Sequence, residues 1–168
     1  MPTTTYIGIG SNMDNPMQQV SNALQALAEL PGCSLCQQSS MYSSDAVGPG
    51  TQDSYINAVA ELKTELTAAD LLQQLQAIEA AHGRVRKQRW EPRPLDLDIL
   101  LFGNQIISTE TLSVPHPELT KRHFVLYPLA EIAADLALPD GRTMHELLTQ
   151  CSIGELLKVK GWHTKLIK

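Results

Sequence analysis

The chain has 168 residues, a formal net charge of −5, 43% hydrophobic and 18% charged residues. This is the composition of one folded domain spanning residues 1–168, not of a disordered chain, and the acidic balance argues against a general nucleic-acid binder. No apolar run approaches membrane-spanning length, and Met1-Pro2-Thr3-Thr4-Thr5-Tyr6-Ile7 lacks the basic start of a secretory signal. A cytoplasmic protein acting as a monomer, without nucleic-acid or membrane partners, is expected. Cys33, Cys36 and Cys151 are expected as thiols, because Cys33-Ser34-Leu35-Cys36 has no second pair to complete a tetrahedral zinc set.

In chain order, Tyr6-Ile7-Gly8-Ile9-Gly10 reads as a strand stopped at Ser11-Asn12, its glycines suited to close approach by a neighbour or ligand. Asp14-Asn15-Pro16 starts a helix whose apolar stripe is Met17, Val20, Leu24, Leu27 and Leu30, and Pro31-Gly32 ends it. Residues 33–42 read as a second strand and 43–54 as a loop. In residues 55–63 the alternation predicts a third strand, with Ile56, Ala58, Ala60 and Leu62 on one face and Tyr55, Asn57 and Val59 on the other.

Thr67 to Asp70 resembles a capping box, and Leu71, Leu75, Ile78 and His82 form the stripe of a second helix that Gly83 closes. A fourth strand covers 95–102, with Leu95, Leu97, Ile99 and Leu101 on one face and Asp96 and Asp98 on the other. Beyond it come a short strand at 105–107, an extended Val114-Pro115-His116-Pro117, a helix over 126–136, a helix capped by Thr143 and Glu146, and a solvated tail from Lys158. Strand, helix, strand, strand, helix, strand is the order of an α+β, ferredoxin-like βαββαβ sandwich with a C-terminal strand and helices added.

The chemistry concentrates between residues 84 and 98. Arg84, Arg86, Lys87, Arg89 and Arg93 are five of the 13 Lys and Arg in the chain, and they feed directly into the Asp96/Asp98 strand. Two carboxylates on one strand face stand about 7 Å apart at the backbone, a separation that suits hard cations. Cations beside them suit a phosphate chain, so the pattern reads as Mg²⁺ plus polyphosphate and as phosphoryl-type transfer. Tyr55, Trp90 and Phe124 are candidates to stack a flat heterocycle, and Asn57 offers both donor and acceptor to a ring edge.

The run Gly83-Arg84-Val85-Arg86 through Arg89-Trp90-Glu91-Pro92-Arg93-Pro94-Leu95-Asp96-Leu97-Asp98-Ile99-Leu100 closely resembles the signature of the 6-hydroxymethyl-7,8-dihydropterin pyrophosphokinase family of folate biosynthesis. Gly10-Ser11-Asn12, Tyr55-x-Asn57 and Val114-Pro115-His116-Pro117 agree in order and spacing, so the similarity runs from about residue 5 to Leu148. The resemblance implies transfer of the terminal diphosphate of ATP to the pterin hydroxymethyl group, with AMP released. It implies that Asp96 and Asp98 hold two Mg²⁺ ions and that Arg84 and Arg93 act on the transferring group. It assigns ATP contacts to Gln76, Glu79, Arg86, Lys87, Trp90, Ile99, Ser113, His116 and Arg122, and pterin contacts to Ser44, Val47, Tyr55, Asn57, Trp90 and Phe124. The chain departs from the family pattern at Asp45, Glu91, Pro94 and Thr111, which bears on the loops and leaves the metal pair intact. Two other readings suit the same order of elements: a palm-type nucleotidyl transferase or cyclase, which would release pyrophosphate, and a non-catalytic ferredoxin-like binding module.

Overall fold

The computed structural model describes residues 2–13, 15–44, 55–82 and 95–159. An antiparallel sheet is its centre: β1 (Thr3–Ser11) lies between β5 (Asp96–Phe102) and β4 (Tyr55–Thr64), and β4 carries both β2 (Cys33–Gln38) and β3 (Tyr42–Ser44) on its far side. The single strand expected at 33–42 is thus two, parted at Ser39, whose N–H donates to the Val59 carbonyl and whose Oγ accepts the Val59 N–H. The short strand expected at 105–107 is Ile107–Ser108 (β6), paired with Ser113–Val114 (β7).

One sheet face is covered by α1 (Pro16–Ala28) and α2 (Ala68–Ala81). Val20, Leu24 and Leu27 of α1 and Leu71, Leu75 and Ile78 of α2 bury the predicted stripes against Ile7, Ile9, Ile56, Ala58, Ala60, Leu62, Leu97 and Ile99. The Thr67 hydroxyl accepts the Asp70 N–H at 3.1 Å, a cap worth about 1 kcal/mol. Asn15 starts α1 without a side-chain cap.

The opposite face is not wholly open. At one end α3 (His123–Ile132) and α4 (Met144–Thr149) pack on Tyr6, Val59, Leu100 and Leu101, forming a second core with Leu126, Leu129 and Leu147. Leu101 therefore lies on the face opposite to the one its alternation predicts. The cause is a bulge: Tyr6 pairs with Leu101 but Ile7 with Ile99, so Leu100 is an extra residue in β5. The inserted residue sends Leu101 to the α3 side and Phe102 to the main core.

The helix expected at 126–136 runs from His123 to Ile132. Pro128 stands inside it, and Leu136 leaves the helix to accept the Met144 N–H. The predicted Thr143 cap is present: its Oγ1 accepts the Glu146 N–H at 3.2 Å. The C-terminal stretch does not leave the fold at Lys158. Leu157–Lys158 (β8) pairs with β3, and the Val159 N–H donates to Met41 O at 2.8 Å.

All three cysteines are free thiols, with burial raising that of Cys151. No helix among the described residues is long and apolar enough to cross a membrane.

Burial, and then Glu61, to which its hydroxyl donates at 3.3 Å, push the Tyr6 phenol up to about 12. A phenol raised in the folded state stabilises the fold fully below the unfolded value of 10.0 and loses that contribution as pH rises through about 12. Burial and Glu131 raise Tyr42 with the same sign. The unfolding midpoint should fall across that alkaline window, and Tyr6→Phe should flatten the fall. A profile identical in the variant would contradict this linkage.

Candidate active site

The sheet register assembles the site. Asp96 of β5 pairs with Gly10 of β1, Gly10 with Asn57 of β4, and Asn57 with Tyr42 of β3. Directly paired residues share a face, so these four side-chain positions form one row across the sheet. In the adjacent row Asp98 pairs with Gly8, and Gly8 with Val59. Two strand spacings put Asp96 and Asn57 roughly 10 Å apart, with no side chain at Gly10 to fill the gap. A Cβ at Gly10 would stand 3.2 Å from Asn57 Oδ1, and one at Gly8 would stand 3.2 Å from Leu100 Cδ2. The Gly8-x-Gly10 pair is thus the bare floor of a cavity.

That cavity has a volume of ≈ 380 Å³, the size of a small-ligand pocket. Ser44, Tyr55 and Asn57 line one side, Asp96, Asp98 and Leu100 the other, and His116, Arg122, His123 and Phe124 close over them. Asn57 is 5% exposed, and its Nδ2 donates to Ser44 Oγ at 3.0 Å. Tyr55 is exposed at the rim. Phe124, in the first turn of α3, makes an edge contact with His123 (centroids 5.6 Å) and lies 5.7 Å from the Arg122 guanidinium, a cation–π distance.

A second cavity of ≈ 190 Å³ is lined by Leu72, Leu97, Ile99, Thr111, Leu112, Ser113 and Pro117, together with Asp98 and His116. Asp98 and His116 therefore line both spaces. His116 is held there by two backbone bonds: its N–H donates to the Leu100 carbonyl at 3.0 Å, and its Nδ1 accepts the Glu118 N–H at 3.1 Å. With Nδ1 accepting, the proton of the neutral ring sits on Nε2, which makes Nε2 a donor. The His116 ring is thus both satisfied by the backbone and a wall of each cavity.

Glu79 occupies a different setting from Gln76. Gln76 is exposed and lines neither cavity, whereas Glu79 is 4% exposed and its Oε2 accepts the Leu97 N–H at 2.8 Å. Leu97 is the residue between the two aspartates, and β5 is an edge strand. Glu79 on one N–H and His116 on the Leu100 carbonyl cover that free edge and fix the strand bearing Asp96 and Asp98.

Several cavity residues have no clear mark in the sequence: Leu72, Leu112, His123 and Val125. Leu72 adjoins the stripe residue Leu71, and periodicity alone gives it no role. Val47, Arg84, Arg86, Lys87, Trp90 and Arg93 lie outside the described residues.

The donor set decides which metal would fit. Among the described residues no group of three or more His, Cys, Asp or Glu forms a closed cage, and the Asp96/Asp98 pair supplies hard oxygen donors only. A structural zinc site would need four ligands from the protein. Mg²⁺ takes one or two carboxylates and completes its shell with water and phosphate oxygens, so this pair fits Mg²⁺.

Residues 6–134 match the family described as 7,8-dihydro-6-hydroxymethylpterin-pyrophosphokinase (HPPK). The chain belongs to this family. It is 49% identical over 156 residues to the 2-amino-4-hydroxy-6-hydroxymethyldihydropteridine pyrophosphokinase of Pseudomonas aeruginosa, covering 93% of this chain and 96% of that protein. It is 46% identical to the Haemophilus influenzae pyrophosphokinase of the same name, covering 93% and 98%. The pyrophosphokinase fold is found again in the crystal structure of Plasmodium falciparum HPPK-DHPS wild type with pteroate, with a TM-score of 0.71 at 12% identity. The match covers 89% of this chain and 42% of that one, so the chain spans less than half of the length of that protein.

Proposed function

We propose that this chain transfers the β,γ-diphosphate of ATP to the hydroxymethyl group of 6-hydroxymethyl-7,8-dihydropterin, releasing AMP, in folate biosynthesis. The observation that carries the reading is the meeting of two cavities at Asp98 and His116, one of ≈ 380 Å³ and one of ≈ 190 Å³. Two substrates held on either side of that junction would place a hydroxyl next to a phosphate chain, and holding the two in contact is the main requirement of phosphoryl-type transfer. We further read the chain as a single ferredoxin-like domain, a cytoplasmic monomer.

In this reading the pterin lies over Gly8 and Gly10, stacked between Tyr55 and Phe124, with Asn57 and Ser44 on its edge and Val47 and Trp90 completing the pocket. The adenine lies beside Ile99 and Leu72, with Gln76, Glu79, Ser113, Arg86, Lys87 and Trp90 on the nucleotide side. The pterin hydroxymethyl oxygen attacks the β-phosphorus and gives up its proton to water, the bond from that phosphorus to the α,β-bridging oxygen breaks, and AMP leaves carrying that oxygen. His116 Nε2–H and Arg122 donate to phosphate oxygens, and Arg84 and Arg93 neutralise the transferring group. Asp96 and Asp98 would hold Mg²⁺, as two ions. Magnesium when bound supplies charge neutralisation along the phosphate chain.

Incubation with ATP, MgCl₂ and the pterin alcohol should give AMP in step with the pterin diphosphate, without ADP or pyrophosphate. ADP would identify a single phosphoryl transfer, and pyrophosphate a nucleotidyl transfer or cyclisation. Either product in place of AMP would sink the reading.

A further inference from the structure

Glu131 lies on the last turn of α3, away from both cavities, yet its carboxylate binds three groups on one short segment. It accepts the Ser40 N–H on both oxygens at 3.1 Å, the Ser40 hydroxyl at 2.9 Å and the Tyr42 hydroxyl at 2.5 Å. Lys158 of β8 stands 4.0 Å from the same carboxylate and 5.8 Å from the Tyr42 ring centroid. Tyr42 is 7% exposed, so its hydroxyl bond is partly sheltered from water. One side chain thus ties α3 to the segment leading into β3 and stands beside β8.

The two ends of this tie belong to opposite walls of the larger cavity. Phe124 precedes Glu131 by seven residues on α3, two turns, so both lie on one helix face roughly 10 Å apart along the axis. Tyr42 is the cross-strand partner of Asn57, and two residues on is Ser44, whose Oγ accepts the Asn57 Nδ2 bond. The helix carries Phe124 over the cavity, and the strand carries Ser44 and holds Asn57 at its side. The Tyr127 hydroxyl on the same helix donates away from β3, to the Cys151 carbonyl at 2.8 Å.

We propose that Glu131 is a positioning residue for the pterin pocket: by holding Ser40 and Tyr42 it fixes the gap between Phe124 and the Ser44–Asn57 pair, and so how firmly a flat heterocycle is gripped. The inference rests on the pterin reading of the larger cavity. It assigns Glu131 no contact with either substrate, and it separates heterocycle affinity from nucleotide affinity, because the narrower cavity is built from β5, α2 and residues 111–117, which the tie does not touch.

The test measures binding of 6-hydroxymethylpterin by its fluorescence, in the presence of Mg²⁺ and α,β-methylene-ATP, and binding of the nucleotide analogue by calorimetry. Glu131→Gln, which keeps one acceptor oxygen, and Tyr42→Phe, which keeps the ring, should each raise the pterin Kd roughly five-fold, the scale of one lost hydrogen bond. The nucleotide Kd should stay within about two-fold, and the double variant should be no worse than the worse single one, since both break one tie. Tyr127→Phe removes a comparable bond from the same helix and should leave the pterin Kd at its wild-type value. Equal weakening in Tyr127→Phe would reduce Glu131 to general support of α3, and an unchanged pterin Kd in Glu131→Gln and Tyr42→Phe would overturn the proposal outright. A wild-type protein that binds the nucleotide but no pterin would instead remove the reading on which it rests.

Discussion

Asp98→Ala is expected to lower AMP formation by about 10³-fold or more while leaving the thermal midpoint of the protein close to that of the wild type. The size of the effect follows from where the side chain stands. Among the described residues Asp98 is the one carboxylate lining both cavities, paired across the sheet with a glycine that offers no substitute donor. A divalent ion held by Asp96 and Asp98, as proposed, would lose one of those two carboxylates. The fold should survive because Asp98 is exposed, and the two cores beneath it are built from Leu97 and Ile99 on one face and Leu100 and Leu101 on the other.

Asp98→Asn sharpens the experiment. It keeps the shape and one acceptor oxygen and removes the charge, so a comparable loss would assign the effect to the carboxylate and not to packing. Mg²⁺-dependent binding of an ATP analogue, followed by calorimetry, should weaken in both variants. Turnover at wild-type rates in either one would remove Asp98 from the proposed metal pair. Asp96→Ala should lose turnover as well, but Asp96 lines only the larger cavity, so its variant should retain more of the analogue's affinity than Asp98→Ala.

The alternation at 95–99 placed the two aspartates correctly because strand parity is a local property, carried by every second residue. Leu101 escaped the same rule because the bulge at Leu100 is a property of the β1–β5 pair, invisible along either strand alone. Asn57 was legible as a face-mate of Tyr55. That it stands in one row with Asp96 depends on two registers, Gly10 with Asn57 and Gly10 with Asp96, each set by long-range pairing.

Glu79 shows a different limit. An acidic residue one turn beyond Gln76 on an amphipathic helix reads as surface, yet it is buried because an edge strand offers it the Leu97 N–H. The covering of the far half of the sheet by α3 and α4, and the return of β8 to β3, are likewise matters of which face remained unpartnered. Composition at 123–158 does not encode that.

Asn57 carries the second large effect, and it should appear in pterin recognition. A buried amide is costly to hold in place, and here one bond, from Nδ2 to Ser44 Oγ, fixes its orientation so that Oδ1 stands over Gly10. That leaves an acceptor and a second amide hydrogen beside the cavity floor, a donor–acceptor pair suited to one edge of a fused heterocycle and poorly matched to its other edges. Asn57→Ala should therefore raise the Kd for 6-hydroxymethylpterin by about 10²-fold, because a site that binds polar edges loses both the contact and the alignment when its partner is removed.

Asn57→Asp tests the orientation itself, since it retains Oδ1 and replaces the donor with an acceptor facing Ser44. If Nδ2 serves only to hold the side chain, the Ser44 hydroxyl can turn to donate and affinity should largely recover. If the pterin needs the amide hydrogen, Asn57→Asp should bind as poorly as Asn57→Ala. Nucleotide binding should be unaffected in both, because Asn57 does not line the second cavity. Weakening of ATP-analogue binding in step with pterin binding would mean that the two spaces act as one, and the assignment of separate substrates to them would fail.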